Sequence, residues 1–236
     1  MNSCCEFTVW TSITDENVAA CDSDFFNKFG GVSEYSRMIN DRKPDAELTF
    51  SCLPEPYSGN PNSNVYCLNK NPGAPDKCFS EDKGFELATL KNLALDQETC
   101  FWADGIYNKC GKLHDGVKWL KQRTRKLEEM LNRQPKIFFV EYFPYHSSKG
   151  FDFPDSLPSY QFTDILIEKA MKEGKIIVIM REKKKWLKRI DGLKDYSNLY
   201  WLKSAQSGYL TPDNIVRKDS NGITIKISKE EIMKYF

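Results

Sequence analysis

The sequence has few histidines, and it lacks several patterns that would assign a class of protein at once. His114 and His146 are the only histidines in 236 residues, and no Cys-x-x-Cys pair occurs. Because the usual spacing of zinc ligands is absent, we expect neither a metal ion nor another cofactor. No apolar run approaches the ~20 residues that a membrane-spanning helix needs. The first residues show no basic region followed by an apolar one, so we predict a cytoplasmic protein without a signal peptide or a membrane partner.

Cysteine content and charge leave more than one class open. The eight cysteines are even in number, but a chain of this length buries a core without disulfides, so we interpret them as reduced core residues. Residues 1–100 carry 16 acidic and 8 basic residues, a net charge of −8, and residues 101–236 carry 17 and 26, a net charge of +9. This asymmetry allows one basic face for a polyanion, although the total of +1 does not require one.

Short apolar runs alternate with helical patterns along the chain. Buried strands are predicted at 64–68, 136–141, 175–180 and 198–203, and a half-exposed strand at 223–227. Helices are predicted at 22–29, 33–40, 85–95, 117–131, 160–173 and 182–190, and after the last strand. This alternation predicts one α/β domain, a three-layer α/β/α structure with a central, mostly parallel four-stranded sheet. We expect an N-terminal helical extension at 1–52, a core at 53–215 and a C-terminal strand and helix at 216–236.

Three of the predicted strands end in polar loops, at 69–74, 141–147 and 204–212. The first loop reads Asn-Lys-Asn-Pro-Gly, in which Pro72 fixes its own φ and Gly73 permits backbone conformations that other residues avoid. In open α/β sheets, ligands bind at the carboxyl edge, where such loops lie. Main-chain N–H groups of this loop could therefore approach a flat ligand. The alternative is a strand-ending turn without any chemistry.

In order and character these loops resemble the motifs of the uracil-DNA glycosylase superfamily. Residues 69–73 look like its first motif in the Asn-Pro-Gly form of the mismatch-specific branch. Residues 203–211, Lys-Ser-Ala-Gln-Ser-Gly-Tyr-Leu-Thr, are similar to its second motif, and 176–181 followed by Trp186 match its third strand. The resemblance spans 53–215 and implies a uracil-DNA glycosylase-like fold. It also implies hydrolysis of the N-glycosidic bond of a damaged or modified base that has been extruded from DNA.

The resemblance implies roles for individual residues. Asn71 would position the attacking water, and Gln206 would donate a hydrogen bond to the departing base. Apart from the resemblance, His146 lies five residues past Glu141 on a loop of aromatic residues and proline, and it is a candidate proton donor near neutral pH. The residues expected to bind the base are Gly73, Phe79, Glu141 and Tyr142. Structural alternatives remain open, since Asn71 could cap a turn and His146 could be a surface or structural residue.

Two positions depart from the family pattern. Gln206 stands where the family often has His or Asn, and the usual neighbouring proline is missing. Glu141 stands where the uracil-type members have an Asn, and an ionised carboxylate accepts hydrogen bonds but cannot donate them. Such a group would repel a uracil carbonyl and would suit a base with N–H donors or a protonated ring. The alternative for Glu141 is a strand-end carboxylate bonded to His146 or Arg181.

A basic run and the second-motif loop are the predicted contacts to nucleic acid. Residues 181–189 hold six bases in nine positions, and Lys183, Lys184 and Lys185 are expected to neutralise phosphates. The other predicted contacts are Lys203, Ser207, Tyr209 and Leu210. Tyr209 and Leu210 could act as an apolar wedge in the duplex. Alternatively, Leu210 packs on the fourth predicted strand and the basic run is only solvated.

We therefore expect a monomer whose partner is nucleic acid, DNA in the first place, or a nucleotide. One alternative is a non-catalytic protein on the same fold that binds a nucleotide or single-stranded nucleic acid. Another is an enzyme that acts on free nucleosides, which the nearly neutral overall charge allows.

Overall fold

The computed structural model describes residues 8–74, 82–98, 100, 111 and 113–236. Within these residues seven strands form one sheet, and they are β1 (Tyr57–Ser58), β2 (Val65–Leu68), β3 (Ile137–Val140), β4 (Ile176–Ile179), β5 (Leu199–Leu202), β6 (Ile215–Lys218) and β7 (Thr224–Lys226). The order across the sheet is β1-β3-β2-β4-β5-β6-β7. The fold is therefore α/β with a mixed sheet.

The centre of the sheet is parallel and both of its margins are antiparallel. Strands β3, β2, β4 and β5 run parallel, whereas β1 pairs antiparallel with β3, and β6 and β7 continue antiparallel from β5. The four predicted buried strands and the predicted strand at 223–227 are confirmed. The predicted central sheet had four strands, whereas the sheet has seven, because β1 and β6 were not expected and because β7, the predicted strand at 223–227, joins the same sheet. Strand β1 is two residues long and follows two prolines, so its pairing with β3 leaves no pattern in the sequence.

Helices are interspersed between the strands. Within the described residues the α-helices are α1 (Ser23–Asn27), α2 (Val32–Arg42), α3 (Lys83–Leu93), α4 (Asp115–Leu131), α5 (Tyr160–Lys172), α6 (Lys183–Arg189) and α7 (Lys229–Tyr235). Each corresponds to a predicted helix. Short 3-10 helices lie at Thr8–Thr11, Ala20–Asp22, Pro44–Ala46 and Leu193–Asp195. None of the helices in the described part of the chain is long and apolar enough to cross a membrane.

Hydrophobic side chains cover both faces of the sheet. Tyr66 of β2 packs in the same buried cluster as Ile167 of α5. Its neighbour Cys67 belongs to a second cluster, which contains Val117 and Leu127 of α4. Successive residues of a strand point to opposite faces, so β2 contacts helices on both sides. This explains why the parallel strands read as continuous apolar runs.

The N-terminal helices share a core with the sheet. Trp10, Phe26 and Tyr35 are buried in the same cluster as Phe138 of β3. Cys67 is buried within this sheet as a free thiol, as the sequence predicted for a core cysteine.

Candidate functional site

A cavity of about 220 Å³ lies at the carboxyl ends of β2 and β3, next to the first turn of α4. Among the described residues it is lined by segment 55–58, by loop 69–74, by the start of α4 and by the end of β3 with Glu141. Asn71, Gly73 and Glu141, which the sequence assigned to two separate loops, all line this cavity.

Backbone hydrogen bonds hold the two strand-exit loops side by side beyond the end of the sheet. The N–H of Asn69 donates to the carbonyl of Val140 at 2.7 Å, and the N–H of Ser147 donates to the carbonyl of Pro72 at 3.1 Å. Loops 69–74 and 141–147 therefore continue the contact between β2 and β3. This pairing fixes their backbones, although neither loop belongs to a regular strand.

On its other side, loop 141–147 pairs with the proline-rich segment that precedes β1. The N–H of Glu141 donates to the carbonyl of Pro56 at 2.8 Å, and the N–H of Glu55 donates to the carbonyl of Pro144 at 2.9 Å. From one bond to the next, loop 141–147 advances three residues, from 141 to 144, whereas the proline-rich segment advances one, from 55 to 56. The extra residues form a β-bulge. The bulge interrupts the strict alternation of side chains, and Glu55 and Glu141 both line the cavity.

The side chain of Asn71 ties the first loop to the second. Its Nδ2 atom donates to the carbonyl of Ser147 at 3.0 Å and lies 2.9 Å from the Ser147 hydroxyl. It also lies 2.7 Å from the carbonyl of Pro72, so the turn-capping role considered from the sequence is part of its geometry. Its Oδ1 atom accepts no hydrogen bond from any described residue, which leaves this oxygen available to orient a ligand or a water molecule.

Glu141 is held at one oxygen and unpartnered at the other. Oε1 accepts a hydrogen bond of 3.0 Å from Nδ2 of Asn69, while the buried Oε2 has no hydrogen-bond partner among the described residues. Burial raises the pKa of Glu141 to about 8, against the opposing effect of bonds from Asn69 and from the N–H of Lys70. The sequence suggested an ionised carboxylate at this position, but with a pKa of about 8 the carboxyl of Glu141 is mostly protonated at neutral pH. It can therefore both donate and accept.

Glu55 is a residue of the site that the sequence analysis missed. It is only 6% exposed and lines the cavity together with Glu141. Burial, and then the charge of Glu141, raise the pKa of Glu55 well above its ordinary value. The available signal was a glutamate between two prolines in a segment bordered by apolar residues, because a carboxyl rarely occurs in such surroundings without a partner.

His146 braces the cavity from outside and does not line it. The ring is 2% exposed, with Nδ1 at 2.8 Å from the carbonyl of Gly73 and Nε2 at 2.9 Å from the carbonyl of Leu53. Burial lowers its pKa, and the two carbonyls partly oppose that effect. With both nitrogens facing carbonyls, His146 connects loop 69–74 to the segment before β1. These contacts are those of a structural residue.

The aromatic walls come from residues that the sequence did not single out. Trp119 of α4 and Phe139 of β3 line the cavity, and their rings meet at 5.5 Å and 73°. Tyr57 of β1 also lines it, and its hydroxyl donates to the carbonyl of Leu93 at 2.7 Å. The amphipathic pattern of α4 predicted which of its residues face the core. Trp119 lies at the border between the buried and the exposed face, so the pattern did not indicate that it would line a cavity.

Other predicted site residues lie elsewhere. Tyr142 points away from Glu141 into the opposite core, where its ring lies 5.1 Å from that of Trp186 and its carbonyl accepts from Arg189 at 2.9 Å. Phe79 falls outside the described residues. Gln206 is exposed and does not line the cavity, and its carbonyl accepts from Nη2 of Arg181 at 3.0 Å.

The remaining predicted nucleic-acid contacts divide by exposure. Lys203, which precedes loop 204–212, and Tyr209 on this loop are exposed, and Ser207 on the loop is half-buried, so all three are accessible. Leu210 is completely buried in the cluster that contains α4. This is the packing alternative considered for Leu210, and the residue is not accessible as a wedge in this conformation.

Much of the basic run is engaged within the protein. Nζ of Lys183 lies 3.2 Å from the ring centroid of Trp201, and Lys185 forms an ion pair of 3.0 Å with Asp152. Lys184 is exposed and has no ion pair among the described residues. Of the three lysines predicted to contact phosphates, Lys184 alone is left fully available.

A different set of cations lies at the carboxyl edge, and we name Lys70, Arg123 and Arg181 the edge cations. None of them has an ion pair among the described residues, although the guanidinium of Arg123 lies 5.2 Å from the ring centroid of Trp119 and Nζ of Lys70 lies 5.9 Å from that of Phe153. Arg123 lies beside Gly208 and Arg181 bonds to Gln206, so both flank loop 204–212. Burial lowers the pKa of Lys70 and of Arg123, and the charge of Arg181 lowers both further.

No family model, curated protein or solved structure matches this chain. The likeness to uracil-DNA glycosylases therefore rests on the sequence motifs alone. Within the described part of the chain, no group of three or more His, Cys, Asp or Glu side chains could hold a metal ion.

Proposed function

We propose that this protein binds a nucleobase in the cavity and hydrolyses the N-glycosidic bond that joins a damaged or modified base to DNA. It would do so as a divergent uracil-DNA glycosylase-like enzyme with a three-layer α/β/α fold. The observation that carries this proposal is the convergence of Asn71, Gly73 and Glu141 on one aromatic-walled cavity.

The size of the cavity supports a base as the part of the ligand that enters it. Pockets for drug-sized ligands occupy roughly 300–1,000 Å³. A cavity of about 220 Å³ is smaller, so it suits one flat ring system and leaves the sugar and phosphates outside. This division is the one expected when a base is taken out of a nucleic-acid strand.

The polar groups of the cavity match the needs of hydrolysis. Oδ1 of Asn71 would accept a hydrogen bond from a water molecule and hold it against the anomeric carbon of the sugar. As water attacks, the bond between sugar and base breaks and its electron pair leaves with the base. The protonated Glu141 would give its proton to a base that leaves as an anion, and the proton of the attacking water would then restore the acid.

The edge cations support a polyanionic carrier for the base. Lys70, Arg123 and Arg181 lie outside the cavity and form no ion pair with a described carboxylate. Phosphates that they neutralise would release counterions, so the affinity for DNA would fall as salt rises. Each alanine substitution of an edge cation should reduce the slope of log affinity against log salt by about 0.9. Lys188→Ala is the control, because Lys188 is already paired with Asp155 at 2.7 Å.

A second candidate function is binding without catalysis. It is favoured by one observation, namely that Gln206 and His146 do not line the cavity. Only Asn71 of the three residues predicted to be catalytic does so. A protein of this kind would retain a base in the cavity and leave the glycosidic bond intact.

Base release from oligonucleotides separates the two candidates. We would incubate the protein with DNA carrying uracil, hypoxanthine, xanthine or alkylated bases, and with Asn71→Ala and Gln206→Ala variants. The proposed enzyme should release at least one base, about 100-fold more slowly after Asn71→Ala, whereas Gln206→Ala should retain its rate. Binding without release would favour the second candidate. Absence of both binding and release would overturn the proposal.

A further inference from the structure

We infer that the heterocycle which enters the cavity carries a positive charge, as a protonated or N-alkylated ring does. This inference rests on the proposed function and names the substrate class of the same site. It differs from the uracil-type ligand that the family resemblance implies.

The first observation is the kind of ionisable group in the cavity wall. Glu55, Asp115 and Glu141 line the cavity, and no lysine or arginine does so among the described residues. Asp115 is exposed and forms an ion pair of 2.7 Å with Lys118, so its charge is already balanced. Glu55 and Glu141 lie deeper and have no cation of this kind.

The second observation is the lack of a basic partner for the two carboxyls. Oε2 of Glu141 is buried and has no hydrogen-bond partner among the described residues. Glu55 is only 6% exposed, and the nearest basic atom among the described residues, Nε2 of His146, is 3.7 Å from its Oε1 atom and already contacts the carbonyl of Leu53. A buried carboxyl without a partner costs free energy, and a ligand that supplies a positive charge would remove that cost.

The third observation is the aromatic surface of the same cavity. Trp119, Phe139 and Tyr57 line the same cavity as Glu55 and Glu141. The faces of aromatic rings attract cations, most strongly where water is excluded. Carboxyls together with aromatic walls therefore favour a charged ring over its neutral parent.

A cationic base also removes a difficulty in the chemistry. A neutral base leaves with the electron pair of the broken bond and needs a hydrogen-bond donor or a proton. A base that is already positively charged takes the electron pair of the broken bond and becomes a neutral molecule as it leaves. It requires neither Gln206 nor His146 in the cavity, and the proton of the attacking water can pass to the carboxylate of Glu55 or Glu141.

Binding of a cation should release protons from the cavity. At neutral pH the empty site holds Glu141 mostly protonated, because its pKa is about 8. A cation favours the ionised carboxyl, so its affinity should rise up to about tenfold per pH unit below about pH 8 and level off above. Among the described residues, the other titratable groups in or next to the site are Glu55 on the segment before β1, His114 and Asp115 at the start of α4, and His146, which lies behind Glu55.

Calorimetric titration with matched rings tests the inference. The probes are 1-methylnicotinamide, a flat and permanently charged ring, and nicotinamide, its neutral parent, with uracil as a second neutral ligand. We expect the charged ring to bind at least about tenfold more tightly near pH 8, with an affinity that decreases toward about pH 6. Glu55→Gln and Glu141→Gln should each abolish most of this preference. Glu168→Gln, on the exposed side of α5, is the control and should retain it.

The outcomes distinguish the inference from the proposed function. If uracil and nicotinamide bind as tightly as the charged ring at every pH, the inference is overturned and base binding stands. If no ring binds, while circular dichroism shows a folded protein, the proposed function fails as well. Should the glutamine variants fail to fold, proton release by the unaltered protein decides. If 1-methylnicotinamide binds at neutral pH without any release of protons, the inference is contradicted.

Discussion

Asn69 donates a hydrogen bond of 3.0 Å from its side-chain amide to Oε1 of Glu141, across the ends of two neighbouring parallel strands. The carbonyl of the same Asn69 accepts a bond of 2.8 Å from the indole of Trp186 on the other face of the sheet. The indole of Trp186 thus fixes the backbone of Asn69 from one face of the sheet, and the side chain of Asn69 orients the carboxyl of Glu141. The unpartnered oxygen of Glu141 owes its position to this arrangement.

The first prediction concerns Asn69→Ala. The amide of Asn69 stabilises the ionised form of Glu141, so its removal should raise the pKa of Glu141 above about 8. Carbon-detected NMR of the glutamate carboxyl groups measures this shift directly. Asn71→Ala is the matched control, because its amide contacts Ser147 and should leave the pKa of Glu141 in place. A lower pKa in Asn69→Ala would contradict the assigned role.

The second prediction concerns the pH dependence of stability. The pKa of Glu141 is about 8 in the folded protein and near 4.5 when unperturbed, so the folded state holds a proton that the unfolded chain has lost. Stability should therefore fall as pH rises through this range, by at most about 1.4 kcal/mol per pH unit. Glu55 acts in the same direction, because its pKa is also raised.

Glu141→Gln should remove the contribution of Glu141. The variant should gain stability over the unaltered protein as pH rises from about 5 to about 8 and then keep the gain. Urea unfolding at several pH values measures this difference. Glu168→Gln, which lies on the surface, should show no such trend. An equal free-energy difference at every pH would mean that Glu141 is ionised throughout.

The third prediction concerns Arg189, the most buried cation of the basic run. Its guanidinium pairs with Asp164 at 2.7 Å, donates to the carbonyl of Tyr142 at 2.9 Å, and lies 3.8 Å from the ring centroid of Tyr160. Arg189→Ala should cost more than about 2 kcal/mol, because it leaves the half-buried carboxylate of Asp164 and the carbonyl of Tyr142 without their partner. Lys188→Ala, one residue earlier and exposed, should cost less than about 1 kcal/mol. Similar losses in the two variants, measured by urea unfolding, would contradict this assignment.

The fourth prediction compares two glycines. Gly59 has φ +108°, and a Cβ atom there would lie 2.6 Å from the backbone oxygen of Ile137. Gly59→Ala should therefore destabilise the protein by about 1–3 kcal/mol or more through backbone strain and overlap. Gly73 is exposed, has no positive φ and has no atom within 4 Å of such a Cβ atom. Gly73→Ala should fold normally in thermal unfolding, and a large loss of stability there would contradict the geometry.

The comparison of these glycines shows one limit of sequence reasoning. The Asn-Pro-Gly loop suggested a glycine needed for its backbone freedom, yet Gly73 does not occupy the left-handed region. Of the two, Gly59 is the position that requires glycine, because its φ is +108° and a Cβ atom there would overlap the backbone of Ile137. Whether a glycine is required depends on φ and on neighbouring atoms, and both are fixed by contacts between distant segments.

The basic run shows the same limit for charge. The sequence counts Lys183 and Lys185 as available cations, but it cannot tell which carboxylates or rings will lie beside them. Asp152 and Trp201 approach from another loop and another strand, and they engage both lysines. The edge cations are scattered in the sequence. Lys70 and Arg181 follow the ends of β2 and β4, whereas Arg123 lies on α4, so the three become neighbours only through the packing of that helix against the sheet.

The sequence by itself determined the central strands and the helices, because buried parallel strands and amphipathic helices each impose a hydrophobic period. It also determined that Asn71, Gly73 and Glu141 would share an edge, since the carboxyl ends of adjacent parallel strands must meet. Only the tertiary structure brought Glu55 and Trp119 to the same cavity, through a bulged ladder and the placement of α4. Burial then set the protonation of Glu141, because desolvation depends on what surrounds a carboxyl in space and not on its neighbours in the chain.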